Sequence, residues 1–362
     1  MTPKDYRYQV FDTLEDLVAL RPDWDRLYSR IPEPAFYHDW RWYHSLFRFL
    51  ITDISFVCLY WRQELIGVVP LTVGQRTRVL ELPVCKYTDL ADILLHPEHC
   101  NKQVLAVLLA GVRRHFGPWS SIVFHRIRPD SGAYALVRLR SGFTRIDVVR
   151  RNTFFKTRNE QDLTALSKKH LKNINRFERR LLKENGNLEY EYQNVSEDGI
   201  EAFLDIENSG WKGEAGTQSS ILSEPLAAAF FRNVARAFTE TGQLLLSFAQ
   251  VNGRRISGQF GILAGDRHYL LKISYHPEYS DYSPGNLLLR STLQKAAELA
   301  TVDEVNLVTG PPWADRWHPE TLTVYTVTLY SYSLRGLFEY GLLRLKDVIR
   351  LFRNKFQTGK AN

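Results

Sequence analysis

The sequence predicts an α/β protein of two tandem units, each a mixed, mostly antiparallel sheet flanked by helices. Three observations carry this expectation. The chain has 362 residues, more than one ordinary domain and enough for two of roughly 150 to 200 residues each. Its composition, 44% hydrophobic, 24% charged and 13% aromatic, supplies full cores and lacks the signature of disorder. An order of hairpin, strand, helix and strand also occurs twice along the chain, the mark of an internal repeat.

The first copy opens with two segments of helical periodicity, Leu14 to Arg30 and Asp39 to Leu50. Ser55 to Leu71 reads as strand, polar turn and strand, and a further strand ends at His96-Pro97-Glu98. A helix from Asn101 to Arg114 and a strand from Ser121 to Ile127 complete it, closed by Pro129. The second copy has its helices at Asp198 to Trp211 and Ser223 to Thr241 and its hairpin at Ser247 to Leu263, where Asn252-Gly253 supplies the tight turn. Its next strand ends at His276-Pro277-Glu278, followed by a helix from Asn286 to Leu299 and a strand from Glu304 to Thr309 before Pro311-Pro312. The polar, charged stretch Asn152 to Thr164 places the boundary near residues 155 to 165. The expected divisions are 1–160, 161–332 and a basic amphipathic helix over 333–362.

Composition also excludes several classes. Cys58, Cys85 and Cys100 are odd in number and lack ligand spacing, which argues against a disulfide framework or a zinc site. The N-terminal residues carry early acids and no apolar core, unlike a secretory signal. Apolar runs such as Val104 to Val112 fall short of the roughly 20 residues a membrane helix needs, so the chain reads as cytoplasmic. A net charge of +7 favours an anionic partner: a phosphorylated cofactor, nucleic acid or an anionic membrane surface. Near the C-terminus, Leu337, Phe338, Leu342, Leu345, Ile349, Phe352 and Phe356 recur at helical spacing against Arg344, Arg350, Arg353 and Lys355. Such a helix either lies on an anionic inner-membrane surface, making the protein peripheral, or packs on its own domain.

The copies diverge after His-Pro-Glu. The second inserts Tyr279 to Gly285 before its helix, where the first has only His99-Cys100. Ser283-Pro284-Gly285 joins a capping residue, a proline and a bare backbone at a helix start, so several N–H groups are expected to point outward, unpaired. That is an anion site suited to a pyrophosphate, at a crossover where ligands of α/β sheets bind; the alternative is a helix that simply starts neatly. Glu207 to Thr217 ends a helix in a glycine-broken loop that could approach a ligand or merely form a C-cap around Trp211. Lys272, in an apolar strand, needs an anionic partner or a solvent-lined cleft, although most such lysines face solvent on an edge. Gly310 to His318 concentrates Trp313, Asp315, Arg316 and Trp317 just beyond a strand, as a pocket wall or as packing.

At these residues the sequence resembles the CelD/BcsL-like branch of the GNAT acyltransferase superfamily, relatives of the FemAB-like peptidoglycan aminoacyltransferases. The matching features, in order, are the basic helix Lys168 to Leu182, Trp211-Lys212 through Thr217, Lys272 with Tyr275, Tyr282-Ser283-Pro284-Gly285 with its leucine run, and Gly310 to Trp317. The resemblance is strongest over about residues 165 to 320. It implies two tandem GNAT-like domains, the first degenerate, and transfer of an acyl group from a thioester to an amine. No permanently bound cofactor is implied; the donor is acyl-CoA or acyl carrier protein, which share the phosphopantetheine arm. The usual Gln/Arg-x-x-Gly-x-Gly/Ala loop is absent, and Ser283-Pro284-Gly285 stands in its place. By this resemblance Ser283, Pro284, Gly285, Asn286 and Leu287 hold the donor. Trp211, Lys212, Thr217, Lys272, Trp313, Arg316 and Trp317 are candidate substrate contacts. Glu207, His276 and Asp315 are candidate bases or relays, with Tyr275 or Tyr282 as acid toward the thiolate. The implied acceptor is an amine-bearing sugar of exopolysaccharide or cell-envelope synthesis, or a long-chain amine as in bacterial ceramide synthases. A non-catalytic acyl-CoA-binding scaffold is the alternative. Nucleic acid is not the expected partner, because the basic run at 168 to 180 is more often a solvated face and no recognition motif accompanies it.

Overall fold

A computed structural model describes residues 5–74, 78–140, 142–158, 167–192, 197–210, 218–299 and 301–358. In chain order the elements are β1 (Tyr6–Phe11), α1 (Leu14–Tyr28), α2 (Trp40–Phe49), β2 (Ser55–Trp61), β3 (Glu64–Val73), β4 (Val79–Glu81), β5 (Leu94–Leu95), α3 (Lys102–Phe116), β6 (Ser121–Ile127), α4 (Gly132–Arg138) and β7 (Thr144–Lys156). They continue with α5 (Lys168–Asn185), β8 (Leu188–Glu191), α6 (Glu197–Ser209), α7 (Pro225–Thr239), β9 (Leu244–Val251), β10 (Arg254–Ala264), β11 (Arg267–Tyr275), α8 (Pro284–Leu299), β12 (Glu304–Asn306), β13 (Glu320–Tyr330) and α9 (Leu334–Thr358). Short 3-10 turns occupy Pro277–Tyr282 and Pro312–Trp317.

Two compact units emerge, each drawn from separate stretches of chain. One comprises Met1–Leu27, Asp53–Val149 and Val324–Asn362, and the other Tyr28–Thr52 and Arg150–Thr323. Residues 28–52 and 150–160 thus fall in the second unit and 324–332 in the first, where a linear division at 1–160 and 161–332 assigns each to the other. The duplication is a property of sequence order, while the compact bodies exchange segments.

In the first unit the sheet runs β1-β2-β3-β4-β6-β13, with β5 on β3. Its pairs are antiparallel except β4 with β6. The helix α3 buries Val104, Leu105, Leu108 and Val112, spaced one helical face apart, against Val57, Leu59, Val69 and Ile122. The strand expected to end at His96 is broken here into β4 and β5, which both pair with β3. Residues 82–93 intervene.

The second unit repeats the order with an unbroken third strand. Here β8, β9, β10, β11 and β12 are successive neighbours, and β12 pairs with the Phe154–Lys156 end of β7. The β9–β10 turn has Asn252 at φ 49° and Gly253 at φ 79°, the two left-handed residues that a two-residue hairpin demands. Alternation on β10 sends Gln259 toward α8, where Thr292 Oγ1 donates to it at 2.7 Å, and Phe260 toward Phe203 and Phe231 of α6 and α7. The helices therefore cover opposite faces. On the α8 side, Leu270, Leu287, Leu288, Leu293, Val305 and Trp317 form one core.

Asn152 to Thr164 looked like a polar connection, yet its first residues complete β7, and Asn152, Thr153, Phe154 and Phe155 are all buried. The polarity is internal: Asn152 Nδ2 donates to Asn306 Oδ1 at 2.7 Å and Asn306 Nδ2 returns a bond to Asn152 at 3.1 Å. Satisfied amide pairs of this kind make a polar residue tolerable in a buried strand. Among the described residues, no helix is long and apolar enough to cross a membrane.

Candidate functional site

The site is built around β11 and the helix that follows it. Parallel pairing of β11 with β12 covers only Arg267 to Tyr269, after which the β12 chain turns aside through Val308 at φ 52°. The distal half of β11 is therefore without a neighbour on that side. On its other edge the register with β10 slips between Phe260 and Gly261, leaving Leu271 as the extra residue of a bulge. Bulges of this type twist a strand and re-aim its side chains. A Cβ at Gly261 would crowd the buried His268 ring and lie 3.1 Å from the Tyr269 carbonyl oxygen, a close approach that favours glycine.

Beyond β11, the turn Pro277–Tyr282 delivers the chain to Ser283, which adopts the left-handed region at φ 54°. Helix α8 starts there. The Ser283 carbonyl accepts the N–H of Asn286 at 3.0 Å and of Leu287 at 3.2 Å, and Pro284 has no N–H. The expected group of unpaired donors thus narrows to Gly285, whose N–H finds no acceptor among the described residues. Asn286 ties this start to the neighbouring turn, its Nδ2 donating to Ser283 Oγ at 2.7 Å and its Oδ1 accepting Trp317 Nε1 at 3.0 Å.

A cleft of about 510 Å³ opens over this helix start, lined by His170, Asn173, Arg176 and Phe177 of α5, Ser280, Asp281 and Ser283 of the turn, Asn286, and Arg316. Three neighbouring arginines are neutralised: Arg180 pairs with Glu184, Arg290 with Glu178, and Arg151 with Asp315. Arg176 and Arg316, by contrast, have no carboxylate partner among the described residues. Two guanidiniums without a carboxylate partner, near a helix start, present donors that an anionic group can accept from. Burial, and then the Arg316 charge, push the His170 imidazole below its ordinary pKa.

The structure gathers Ser283, Asn286 and Arg316 in this cleft, with Gly285 directly behind, where a Cβ would meet the Tyr275 ring at 3.6 Å. Pro284 and Leu287 are buried and contribute backbone only. Trp317 is fully buried against His170 and Phe155, so it props the cleft from beneath and presents no surface to a ligand. Trp313 is exposed at the same turn. Asp315 faces Arg151 at 3.3 Å. The Tyr282 hydroxyl donates to Glu184 at 2.7 Å. Tyr275 is exposed at the end of that strand, and half-buried Lys272 stands opposite Phe260. His276 follows, its pKa lowered by burial and then by the Arg254 charge. Glu207 lies on the other face of the sheet, buried, accepting the Ile221 N–H at 2.8 Å. Trp211, Lys212 and Thr217 lie outside the described residues.

The sequence model of the Acetyltransferase (GNAT) domain family matches residues 168–317, a span that begins with α5, ends at Trp317 and contains every residue of the cleft. Residues 168–317 are thus similar to a GNAT domain. Solved structures extend the likeness of fold to both units. FemX aligns over 92% of this chain and 99% of its own at 12% identity, with a TM-score of 0.60. L-PGS from Bacillus licheniformis aligns over 91% and 96% at 10% identity and a TM-score of 0.56. A conserved protein of unknown function from Bacteroides thetaiotaomicron covers 89% of this chain and 99% of its own, with 14% identity and a TM-score of 0.59. No curated protein sequence matches the chain. The architecture is a tandem of GNAT-like units, each a mostly antiparallel sheet with flanking helices.

Sequence reasoning did not assign His170, Asn173, Arg176 or Phe177 to this cleft. The signal was present: positions 170, 173 and 176–177 recur at helical spacing within the basic run. Nothing local states that this face turns toward α8.

Proposed function

We propose that the protein is an N-acyltransferase whose second unit holds the phosphate-bearing arm of acyl-CoA or an acyl carrier protein and passes the acyl group to an amine on a cell-envelope sugar or lipid precursor. The observation that carries this reading is the convergence of Arg176, Arg316 and the Gly285 N–H at the start of α8, beside the unpaired edge of β11. Phosphates held there leave a pantetheine arm free to run along that edge.

The chemistry requires no enzyme nucleophile. The amine nitrogen bonds to the thioester carbonyl carbon, the C–S bond breaks, the attacking amine loses a proton to a base and the thiolate takes one up. His276, kept neutral by burial and Arg254, suits the base. Tyr275 suits the acid better than Tyr282, whose hydroxyl is committed to Glu184.

The test combines calorimetry with turnover. Arg176→Ala/Arg316→Ala should weaken CoA binding by roughly 100-fold, two charge-assisted hydrogen bonds at their lower value, and binding that stays unchanged would overturn the site. Purified protein with an acyl-CoA panel and candidate amines should release free thiol. Tight donor binding without release would make it a binding scaffold, and RNase-sensitive turnover would move the donor to charged tRNA.

A further inference from the structure

The C-terminal helix α9 sits on the first unit the wrong way round for a helix that merely completes a core. Its protein-facing side is Gly336, Tyr340, Leu343 and Asp347. A Cβ on Gly336 would lie 2.4 Å from the Ser331 carbonyl oxygen, so the backbone itself touches the unit at that point. Further along, the Tyr340 ring packs on Phe143 and Tyr330, and Asp347 pairs with Arg145 at 3.0 Å. The apolar stripe Leu334, Phe338, Leu345 and Ile349 is turned outward instead, with Leu334 88%, Phe338 66% and Leu345 56% exposed, while Leu342 at its margin lines a cleft against the sheet. At 3.6 residues per turn the two stripes are about 170° apart. An amphipathic helix ordinarily buries the apolar side.

We propose that this outward face of α9 docks on an anionic lipid bilayer surface. Charge selects the occupant. The helix carries six basic and two acidic side chains, a formal net of +4, and on the helical wheel Lys346 borders the apolar stripe on one flank, beside Arg335 in its pair with Glu339, with Arg344 on the other. Leucine and phenylalanine between cationic flanks is the arrangement by which a helix lies in a headgroup layer. A second copy of the chain would bring these like charges together across the interface, which opposes self-association. The proposal does not depend on the acyl-transfer reading, and its test reads partitioning alone.

The full chain should co-sediment with vesicles of phosphatidylcholine and phosphatidylglycerol mixed 70:30 and far less with pure phosphatidylcholine. Phe338→Ser/Leu345→Ser, both at exposed positions, should lower partitioning at least tenfold with unchanged thermal unfolding and CoA binding. Arg335→Gln/Lys346→Gln should lower it roughly 30-fold, each basic residue at an anionic surface being worth about a factor of five. Absence of vesicle binding, or binding indifferent to both double variants, overturns the proposal. So does a dimer in analytical ultracentrifugation that the serine variant dissolves while vesicles capture neither protein, since the second copy then covers the stripe.

Discussion

In the first unit, the crossover from His96 to α3 is filled by the protein's own side chains. Asn101 Oδ1 accepts the N–H groups of Gln103 and Val104, both at 3.0 Å. Asn101 Nδ2 donates to the Tyr6 hydroxyl, which also hydrogen-bonds His99 Nδ1 at 3.2 Å, and Tyr6 and His99 are both buried. In the second unit, the crossover from His276 to α8 leaves the Gly285 N–H unmet, and the space above it is a cleft between Arg176 and Arg316. Both begin with His-Pro-Glu, and both precede a helix that packs on its sheet. A conventional side-chain cap closes one and a left-handed serine with a proline opens the other. The same fold thus supports a sealed and an open helix start, and the choice rests on a few residues of capping chemistry.

The most severe way to break this comparison is to fill the open start. Gly285 does not need glycine's backbone freedom, and a Cβ would make only ordinary contact with Tyr275 and with Ile273 at 3.8 Å. Gly285→Ala should therefore leave CoA binding within about twofold. Gly285→Trp, whose ring must occupy the space beside Tyr275 and Ile273 at the open edge of β11, should weaken it at least 30-fold, about 2 kcal/mol, with thermal unfolding as the control for folding. Equal loss in both variants would show that the backbone geometry and not the space above it holds the donor.

A smaller effect separates capping from binding. Asn101→Ala removes the acceptor for two N–H groups in the first unit and should cost about 1 kcal/mol of stability, read by urea unfolding, with no change in CoA affinity. A measurable loss of affinity would mean that the sealed crossover takes part in donor recognition after all.

Much of this contrast was legible in the sequence. The repeated order, the hairpin at Asn252-Gly253 and the extra loop before Asn286 are local signals, carried by turn chemistry and helical periodicity. What escaped depends on contacts distant in the chain. The strand β13 belongs to the first unit through pairing with β6, some 200 residues upstream, and no local pattern announces such a partner. β7 read as a polar linker because the Asn152–Asn306 pair that neutralises its polarity spans 154 residues. Trp317 and Arg316 are adjacent in sequence, yet one is sealed in the core and the other lines the cleft. Only the turn that carries them, and the bond from Trp317 to Asn286, decides which is which.

The finest distinction concerns protons at the second crossover. Burial lowers the His276 pKa from its ordinary 6.5, the Arg254 charge adds to that, and Glu278 opposes it. If the neutral imidazole accepts the amine proton, activity is full above the lowered pKa and lost as pH falls through it, so the acid limb of kcat/KM lies below 6.5. Removing the Arg254 charge lets the pKa rise, and Arg254→Gln should move the acid limb to higher pH. Glu278→Gln should move it to lower pH. Both residues are more than half exposed and paired with each other, so the displacements are small and shrink further as salt is added. Opposite movements of the limb in the two variants, with CoA binding unchanged, would tie the titrating group to His276. An acid limb that neither variant moves would remove His276 as the base and leave that role to a group elsewhere along β11 or its unpaired edge.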